Sequence, residues 1–242
     1  MQNLLKHVLV IPDGNGRWAT QRSLPRYEGH IKGVERFREI SKVAREMGIS
    51  FAFWAASGAN LRGRNHIEVL NLVLLLQQEL ERQDTLSCLL ENRIRFRVLG
   101  DWHKILYPSH FPRLGHLLHL IHFLQEQTRK FDQNHLTILF GYSGEDELMW
   151  AVREDRKRRP KHFDERTFKR GFWTSGLPLV DLIIRTGAER PNQTHTSDGI
   201  FNPWFTPESQ IFISTTLWPD FTEKEFREFV VDYSKTPRRL GA

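Results

Sequence analysis

His7-Val8-Leu9-Val10-Ile11-Pro12-Asp13-Gly14-Asn15-Gly16-Arg17-Trp18 contains most of the information needed to place the rest of the chain. The apolar run 8–11, bounded by turn formers, has the length and composition of a buried strand. It delivers a carboxylate, Asp13, onto a turn of Gly14, Asn15 and Gly16, where glycine lets the backbone approach a ligand closely. A cation, Arg17, and an aromatic, Trp18, open the next segment, and amides at a helix start favour anions. A carboxylate beside such amides repels a bare phosphate, so a divalent metal between the two makes the best sense of the pair. Alone, Asp-Gly-Asn-Gly is more often an ordinary strand–turn–helix corner than a site, and the other segments decide.

Outward from this corner, strand and helix patterns alternate. Residues 33–47 carry Val34, Phe37, Ile40, Val43 and Ala44 on one helical face and end at Gly48. Residues 51–56 read as a second buried strand, 67–91 as one long apolar helix, and 93–99 as an alternating strand closing at Gly100-Asp101. A helix is expected over 112–131, a strand over 136–140, a helix over 146–158, and strands over 179–184 and 210–213. The final helix covers 222–233, with Thr222 and Glu225 at capping-box spacing. Strands that are apolar rather than alternating, separated by helices, predict an α/β fold with a mainly parallel central sheet flanked by helices. Sites in such sheets lie at the carboxyl ends of strands. Asp13, residues 57–60, Gly141-Tyr142 and Arg185 all follow strands directly, so one sheet edge can gather them. No repeat or domain boundary is evident, and a single domain over 1–242 is expected.

Composition narrows the class. The chain has 242 residues, 39% of them hydrophobic, which is ample for a core. One cysteine, Cys88, excludes a disulfide framework and a Cys-rich zinc site, and fits a reducing compartment. The chain enters its first strand without a signal-like segment, and no apolar run approaches the ~18 residues of a membrane span. A cytoplasmic location is therefore expected. The net charge of +6 suits an anionic partner. The basic run 153–161 lacks the interleaved aromatics of a single-strand binding groove, and no nucleic-acid partner is expected. His116, His119 and His122 recur along an apolar helix and belong at its exposed edge rather than around a metal.

A second anion site is suggested by 180–187, where a buried strand ends in Arg185-Thr186-Gly187, presenting a guanidinium, a hydroxyl and exposable backbone. The alternative is an arginine paired with a local carboxylate such as Glu189. Taken with Arg26-x-x-Gly29-His30-x-x-Gly33, Ser57-x-x-Asn60, Leu217-Trp218-Pro219-Asp220-Phe221 and Arg238-Arg239-x-Gly241, these segments resemble the cis-prenyltransferase family, typified by undecaprenyl diphosphate synthase. The resemblance runs in order from about residue 7 to 241.

That resemblance implies a homodimeric, undecaprenyl diphosphate synthase-like fold with an apolar tunnel, whose walls would be the helices at 67–91 and 116–124. It implies condensation of isopentenyl diphosphate with an allylic prenyl diphosphate, such as farnesyl diphosphate, to a Z-configured polyprenyl diphosphate. It implies Mg2+ as cofactor and peripheral membrane contact through a long product. Asp13 matches the family's metal-handling, catalytic aspartate, and Asn60 the asparagine associated with proton removal. Gly14, Asn15, Gly16, Arg17, Trp18, Arg26 and His30 match the cradle of the allylic diphosphate. Ser57 belongs to the matching Ser-x-x-Asn block. Arg185 and Ser197 match residues that hold the isopentenyl diphosphate. Glu208, eleven residues after Ser197, has the spacing of a second metal carboxylate acting across the dimer interface.

Departures from the family pattern cluster around the substrates. The usual Ser-x-Glu-Asn-Trp-x-Arg-Pro is here Ser57-Gly58-Ala59-Asn60-Leu61-Arg62-Gly63-Arg64, so Arg62 or Arg64 takes the arginine's part. Tyr-Gly-Gly-Arg becomes Tyr142-Ser143-Gly144-Glu145. The loop after Arg185 is about four residues longer than the family's, by comparison with the pattern Arg-Thr-Gly-Gly-Glu-x-Arg-x-Ser, and either Arg190 or His195 stands for its second arginine. A different acceptor, an irregular coupling, or a non-catalytic partner subunit are the alternatives these departures raise. An intact Asp13 argues against the last.

Overall fold

A computed structural model describes residues 4–106, 114–158, 163–190 and 199–236. The helices are α1 (Asn15–Thr20), α2 (Arg26–Glu46), α3 (Gly58–Gly63), α4 (His66–Leu80), α5 (Gln83–Glu91), α6 (Trp102–Leu106), α7 (Leu114–Thr128), α8 (Gly144–Arg158), α9 (Glu165–Lys169) and α10 (Glu223–Lys235). The strands are β1 (His7–Ile11), β2 (Ser50–Ala56), β3 (Ile94–Leu99), β4 (Asn134–Phe140), β5 (Leu182–Arg185) and β6 (Gln210–Ile213). They form a six-stranded sheet in the order β3-β4-β2-β1-β5-β6. The pairings β1–β2, β1–β5, β3–β4 and β5–β6 are all parallel, as strands joined through helices require. The α/β expectation holds.

Two compact units share the chain. The first comprises Met1–Phe53, Val180–His195 and Glu208–Ala242. Its strand β1 is buried throughout. Ile11, Arg185 and the end of β6 at Ile213 lie level, so the residues after them leave the same edge. An aromatic chain fills its core: Phe37 meets Phe53 edge-on at 4.8 Å, Phe53 meets Trp218 at 5.6 Å, and Trp218 stacks on Phe221 at 5.7 Å. Such pairs add about 0.5–1.5 kcal/mol each beyond their buried area.

The second unit comprises Trp54–Leu179 and Thr196–Pro207. Here the end of β2 is tied to the residues after β4, through the Tyr142 amide donating to the Ala56 carbonyl at 3.2 Å. Gly100 is held against the Phe140 carbonyl so closely that a Cβ would sit 2.0 Å from its oxygen, and its φ of +131° already demands glycine.

Three element boundaries differ from expectation for reasons visible in the structure. The helix expected over 33–47 starts at Arg26, because Pro25 at the N-cap fixes the entry, and Gly29 and Gly33 lie inside it as packing positions. The helix expected over 67–91 is two helices. Arg82 turns extended (φ −56°, ψ 138°), pairs with Asp84 two residues on, and the Thr85 hydroxyl donates to the Glu79 carbonyl. Residues two apart do not face each other on a continuous helix, so this pairing needs the break. The strand expected from 179 begins at Leu182, because the Asp181 carboxylate turns to accept from the Lys6 and His7 amides (2.9 and 3.1 Å). The last helix is capped as expected, by Thr222 accepting from the Glu225 amide at 3.2 Å. The Glu225 carboxylate, however, takes the Ser214 hydroxyl rather than completing the box.

Candidate active site

The corner after β1 is held in place by main-chain contacts. The Asp13 carbonyl accepts from the Thr186 hydroxyl at 2.9 Å and from the Trp218 amide at 3.0 Å. The fully buried Trp218 is itself locked by its indole N–H donating to the Gly33 carbonyl at 2.8 Å. Segments some 170 and 200 residues downstream therefore fix where the Asp13 carboxylate points. The Thr186 hydroxyl, expected to face a phosphate, is committed to this backbone contact.

Gly14 caps α1 with φ +109°, and Leu217 packs where a Cβ would go. The first amides of α1, from Asn15 to Arg17, have no intrahelical acceptor. A Cβ on Gly16 would meet the Arg26 guanidinium at 2.7 Å, so glycine lets that cation lie against the turn. Arg26 and His30 are one helical turn apart on α2. That helix comes so close to α1 that a Cβ on Gly29 would lie 2.0 Å from the Asn15 carbonyl oxygen. Trp18 is less free than expected, since its indole N–H donates to Asp220 at 2.7 Å and Arg22 stacks over its ring at 4.3 Å.

Arg17 and Arg185 converge on Asp13, each with Nη2 at 3.3 Å from Oδ2. Arg17 also donates to the Gly187 carbonyl at 2.5 Å. Thus Arg185 pairs with Asp13, and Glu189 is exposed. The Arg185 side chain is only 10% exposed, and burial lowers its pKa while Asp13 raises it and Arg17 lowers it. At 3.3 Å these ion pairs are looser than the 2.7–2.9 Å of a closed charge-assisted bond, so neither charge is saturated by the other. Two guanidiniums, open amides and one carboxylate suit a diphosphate with a divalent cation.

Among the described residues, no three His, Cys, Asp or Glu side chains group closely enough to hold a metal by themselves. Magnesium commonly takes one or two carboxylates plus phosphate oxygens and waters, and Asp13 among cations fits an ion that arrives with its diphosphate. Glu208 lies exposed just before β6. Gln210 is level with Leu182 and, through it, with Val8. Glu208 therefore stands at the opposite strand end from Asp13 of the same chain.

In the second unit, Ser57 caps α3, its hydroxyl oxygen accepting from the Asn60 amide at 3.0 Å and from Asn60 Nδ2 at 2.8 Å. This fixes the Asn60 side chain and leaves its Oδ1 outside both bonds. Arg62 is exposed and makes no hydrogen bond or ion pair among the described residues, whereas Arg64 is half-buried. Arg190 is exposed, and Ser197, His195, Arg238 and Arg239 lie outside the described residues. The histidines 116, 119 and 122 are exposed on α7, and His116 contacts Glu81 at 2.7 Å.

No motif or spacing signals the buried acid of this unit. Glu147 is fully buried and accepts from Tyr142 Oη (2.6 Å), Asn202 Nδ2 (2.5 Å), and the Thr174 amide and hydroxyl (2.6 and 2.9 Å). Burial raises its pKa against the pull of those donors. The network ties α8 to the stretch after Gly199, whose Phe201 carbonyl fills the space a Cβ on Gly144 would need. Gly144 is therefore a packing position, and the exposed Glu145 beside it points away from that network.

Residues 11–241 match a family model described as "Putative undecaprenyl diphosphate synthase". An isoprenyl transferase of Thermotoga maritima is 33% identical over 240 residues, spanning 98% of this chain and 96% of that protein. Among solved structures, lavandulyl diphosphate synthase from Lavandula x intermedia, in complex with dimethylallyl diphosphate, is 26% identical with a TM-score of 0.80, covering 98% of each chain. A probable undecaprenyl diphosphate synthase from Campylobacter jejuni is 26% identical with a TM-score of 0.71, covering 99% of this chain and 100% of that one.

Proposed function

The chain belongs to the undecaprenyl diphosphate synthase family of cis-prenyltransferases, and from that premise we propose that it condenses isopentenyl diphosphate with an allylic prenyl diphosphate. It is a prenyltransferase of isoprenoid biosynthesis. The finer assignments are a Z double bond in the product, farnesyl diphosphate as donor, and Mg2+ dependence. The observation that carries this reading is the Asp13 corner, in which one carboxylate is held by main-chain contacts between two guanidiniums, each 3.3 Å away.

Ionising an allylic diphosphate separates charge, so the residues must stabilise the departing anion more than the bound ester. Arg17, Arg26 and the amides of the Gly14–Gly16 turn would hold that diphosphate, with His30 beside them on α2. Mg2+, held by Asp13, would neutralise part of the charge on the leaving group. Arg185, with Arg190 and Ser197, would hold the isopentenyl diphosphate, and Arg62 or Arg64 would add a cation to a substrate. Asn60, its amide fixed by Ser57, would assist proton removal once the new bond has formed. The carbocation must be kept from water, and the leucines of α4 favour an apolar cavity for the hydrocarbon chain. Leu70, Leu72, Leu74, Leu75 and Leu76 are only partly buried, although the helix is strongly apolar.

A homodimer follows from the same reading. The edge strand β6 leaves Ile211 60% and Ile213 40% exposed, and Val231 on α10 is 47% exposed, an apolar surface that a second copy would cover. Glu208 would then serve the partner's metal. No helix among the described residues is long and apolar enough to cross a membrane, and membrane contact would be peripheral, through a long product.

A second reading has specific support. The lavender enzyme whose structure resembles this chain binds dimethylallyl diphosphate, and the sequence departs from the family's pattern after Ser57 and after Arg185, where the resemblance puts acceptor residues. An acceptor other than isopentenyl diphosphate would fit both observations. The test is product analysis with dimethylallyl, geranyl and farnesyl diphosphates, each with and without isopentenyl diphosphate and with magnesium. Isopentenyl incorporation supports the first reading, and coupling from an allylic diphosphate alone supports the second. Absence of any allylic diphosphate turnover would contradict both.

A further inference from the structure

Strand β3 carries two arginines on one face, Arg95 and Arg97, and β4 carries His135 and Thr137 directly beside them. The parallel register pairs Arg95 with His135 and Arg97 with Thr137. Side chains alternate along a strand, so all four stand on the same face of the sheet. The opposite face takes Ile94, Phe96 and Val98, which are buried.

Arg95 forms no hydrogen bond or ion pair with a described residue. Arg97 has one partner, the Ser175 carbonyl, which accepts from Nη1 at 2.9 Å. Neither cation has a carboxylate among the described residues, and outside them the sequence offers a single acidic side chain, Asp198. Like charges on neighbouring same-face positions repel, and half-buried cations without a counter-charge are costly. The cost is visible in Arg97, whose pKa burial, with a smaller push from Arg95, lowers to about 10. His135 adds no compensating group, because burial, reinforced by the two arginines, lowers its pKa too.

A buried hydroxyl here is unused. The Thr137 hydroxyl is fully buried and has no hydrogen-bond partner among the described residues, although it stands beside Arg97. A buried hydroxyl left unsatisfied costs about 1–3 kcal/mol. Two forked cations and an unpaired hydroxyl on one face are complementary to an anion with many acceptor oxygens. The guanidiniums branch from positions about 7 Å apart along the strand, close enough for both long side chains to reach one multiply charged phosphoryl anion.

We propose that the Arg95–Arg97–Thr137 face of β3 and β4 is a second anion-binding site, taking a phosphoryl oxyanion of the charge of a diphosphate. Free inorganic diphosphate and the phosphate headgroup of a lipid share that chemistry. The site uses none of the residues assigned to prenyl transfer and does not depend on that assignment.

The test is calorimetric titration of the full chain with inorganic diphosphate in EDTA, beside flotation with phosphatidylglycerol vesicles. Arg17→Met with Arg185→Met serves as the background, removing a cation from each of the two diphosphate positions proposed for prenyl transfer. In that background Arg97→Met should weaken binding at least tenfold and Thr137→Val about threefold to tenfold, as loss of a charged and of a neutral hydrogen bond predict. Loss of diphosphate binding identifies a free anion as ligand, and loss confined to vesicles identifies a lipid headgroup. Thr137→Val preserves shape, so it decides the matter if Arg97→Met does not fold. Unchanged binding of both probes in folded Thr137→Val overturns the proposal.

Discussion

Asp13 shows how much of a site a single residue's surroundings determine. Its side chain is set by Arg17 and Arg185, and its main chain by Thr186 and Trp218. That Asp13, Arg17 and Arg185 follow strand ends on one sheet edge was legible because charge next to glycine after an apolar strand is a local pattern. The partner of Trp18 was not, since Asp220 is 202 residues away and only tertiary packing brings it within 2.7 Å. Arg185→Lys keeps the charge but loses the planar fork, and should weaken the apparent affinity for the accepting diphosphate about tenfold or more. Steady-state kinetics in the acceptor concentration checks this, and an unchanged KM would reject the role. Glu147 gives a pH prediction. Its folded pKa is raised, so its proton's contribution to stability is full below the ordinary carboxyl value of about 4.3 and is lost as pH rises through the raised value. The Tm advantage of wild type over Glu147→Gln should therefore shrink as pH rises from about 4.3 toward neutrality. A constant difference would mean that Glu147 does not titrate in that way.

At the scale of elements, periodicity located the strands and most helices, but not their ends. Glycine usually weakens a helix interior, and the helix expected from Gly33 in fact extends back past Gly29 to Arg26. What offsets that weakness is the contact with α1, which cannot be inferred from either segment alone. Gly29→Ala would place a methyl group 2.0 Å from the Asn15 carbonyl oxygen. It should cost about 1–3 kcal/mol in stability, as overpacking does. It should also lower activity, because the displaced residue belongs to the Asp13 turn. Thermal melts and turnover together check this, and an unperturbed, fully active variant would show that the two helices can separate freely. The break between α4 and α5 was hidden for a related reason. No proline or glycine marks it, and the Arg82–Asp84 and Thr85–Glu79 contacts that stabilise it are polar exceptions inside an apolar run.

At the scale of the molecule, apolar strands alternating with helices were enough to predict a mainly parallel sheet, and the carboxyl ends of β1 and β5 carry Asp13 and Arg185 as that topology requires. The segment 210–213 reads in sequence simply as one more strand, yet the structure leaves its isoleucines exposed on a sheet edge. Ile211→Lys should shift a homodimer toward monomer in sedimentation or light scattering, and an unaltered mass would place the interface elsewhere. The central claim is that Asp13 acts on a departing allylic diphosphate. Its most direct test is single-turnover release of diphosphate from a saturating allylic donor with isopentenyl diphosphate and magnesium, comparing wild type with Asp13→Ala. Release should slow by about 10²–10³-fold or more with a much smaller change in donor affinity, because the stabilisation is greatest as charge separates. Equal release rates, with only affinity reduced, would contradict that role for Asp13.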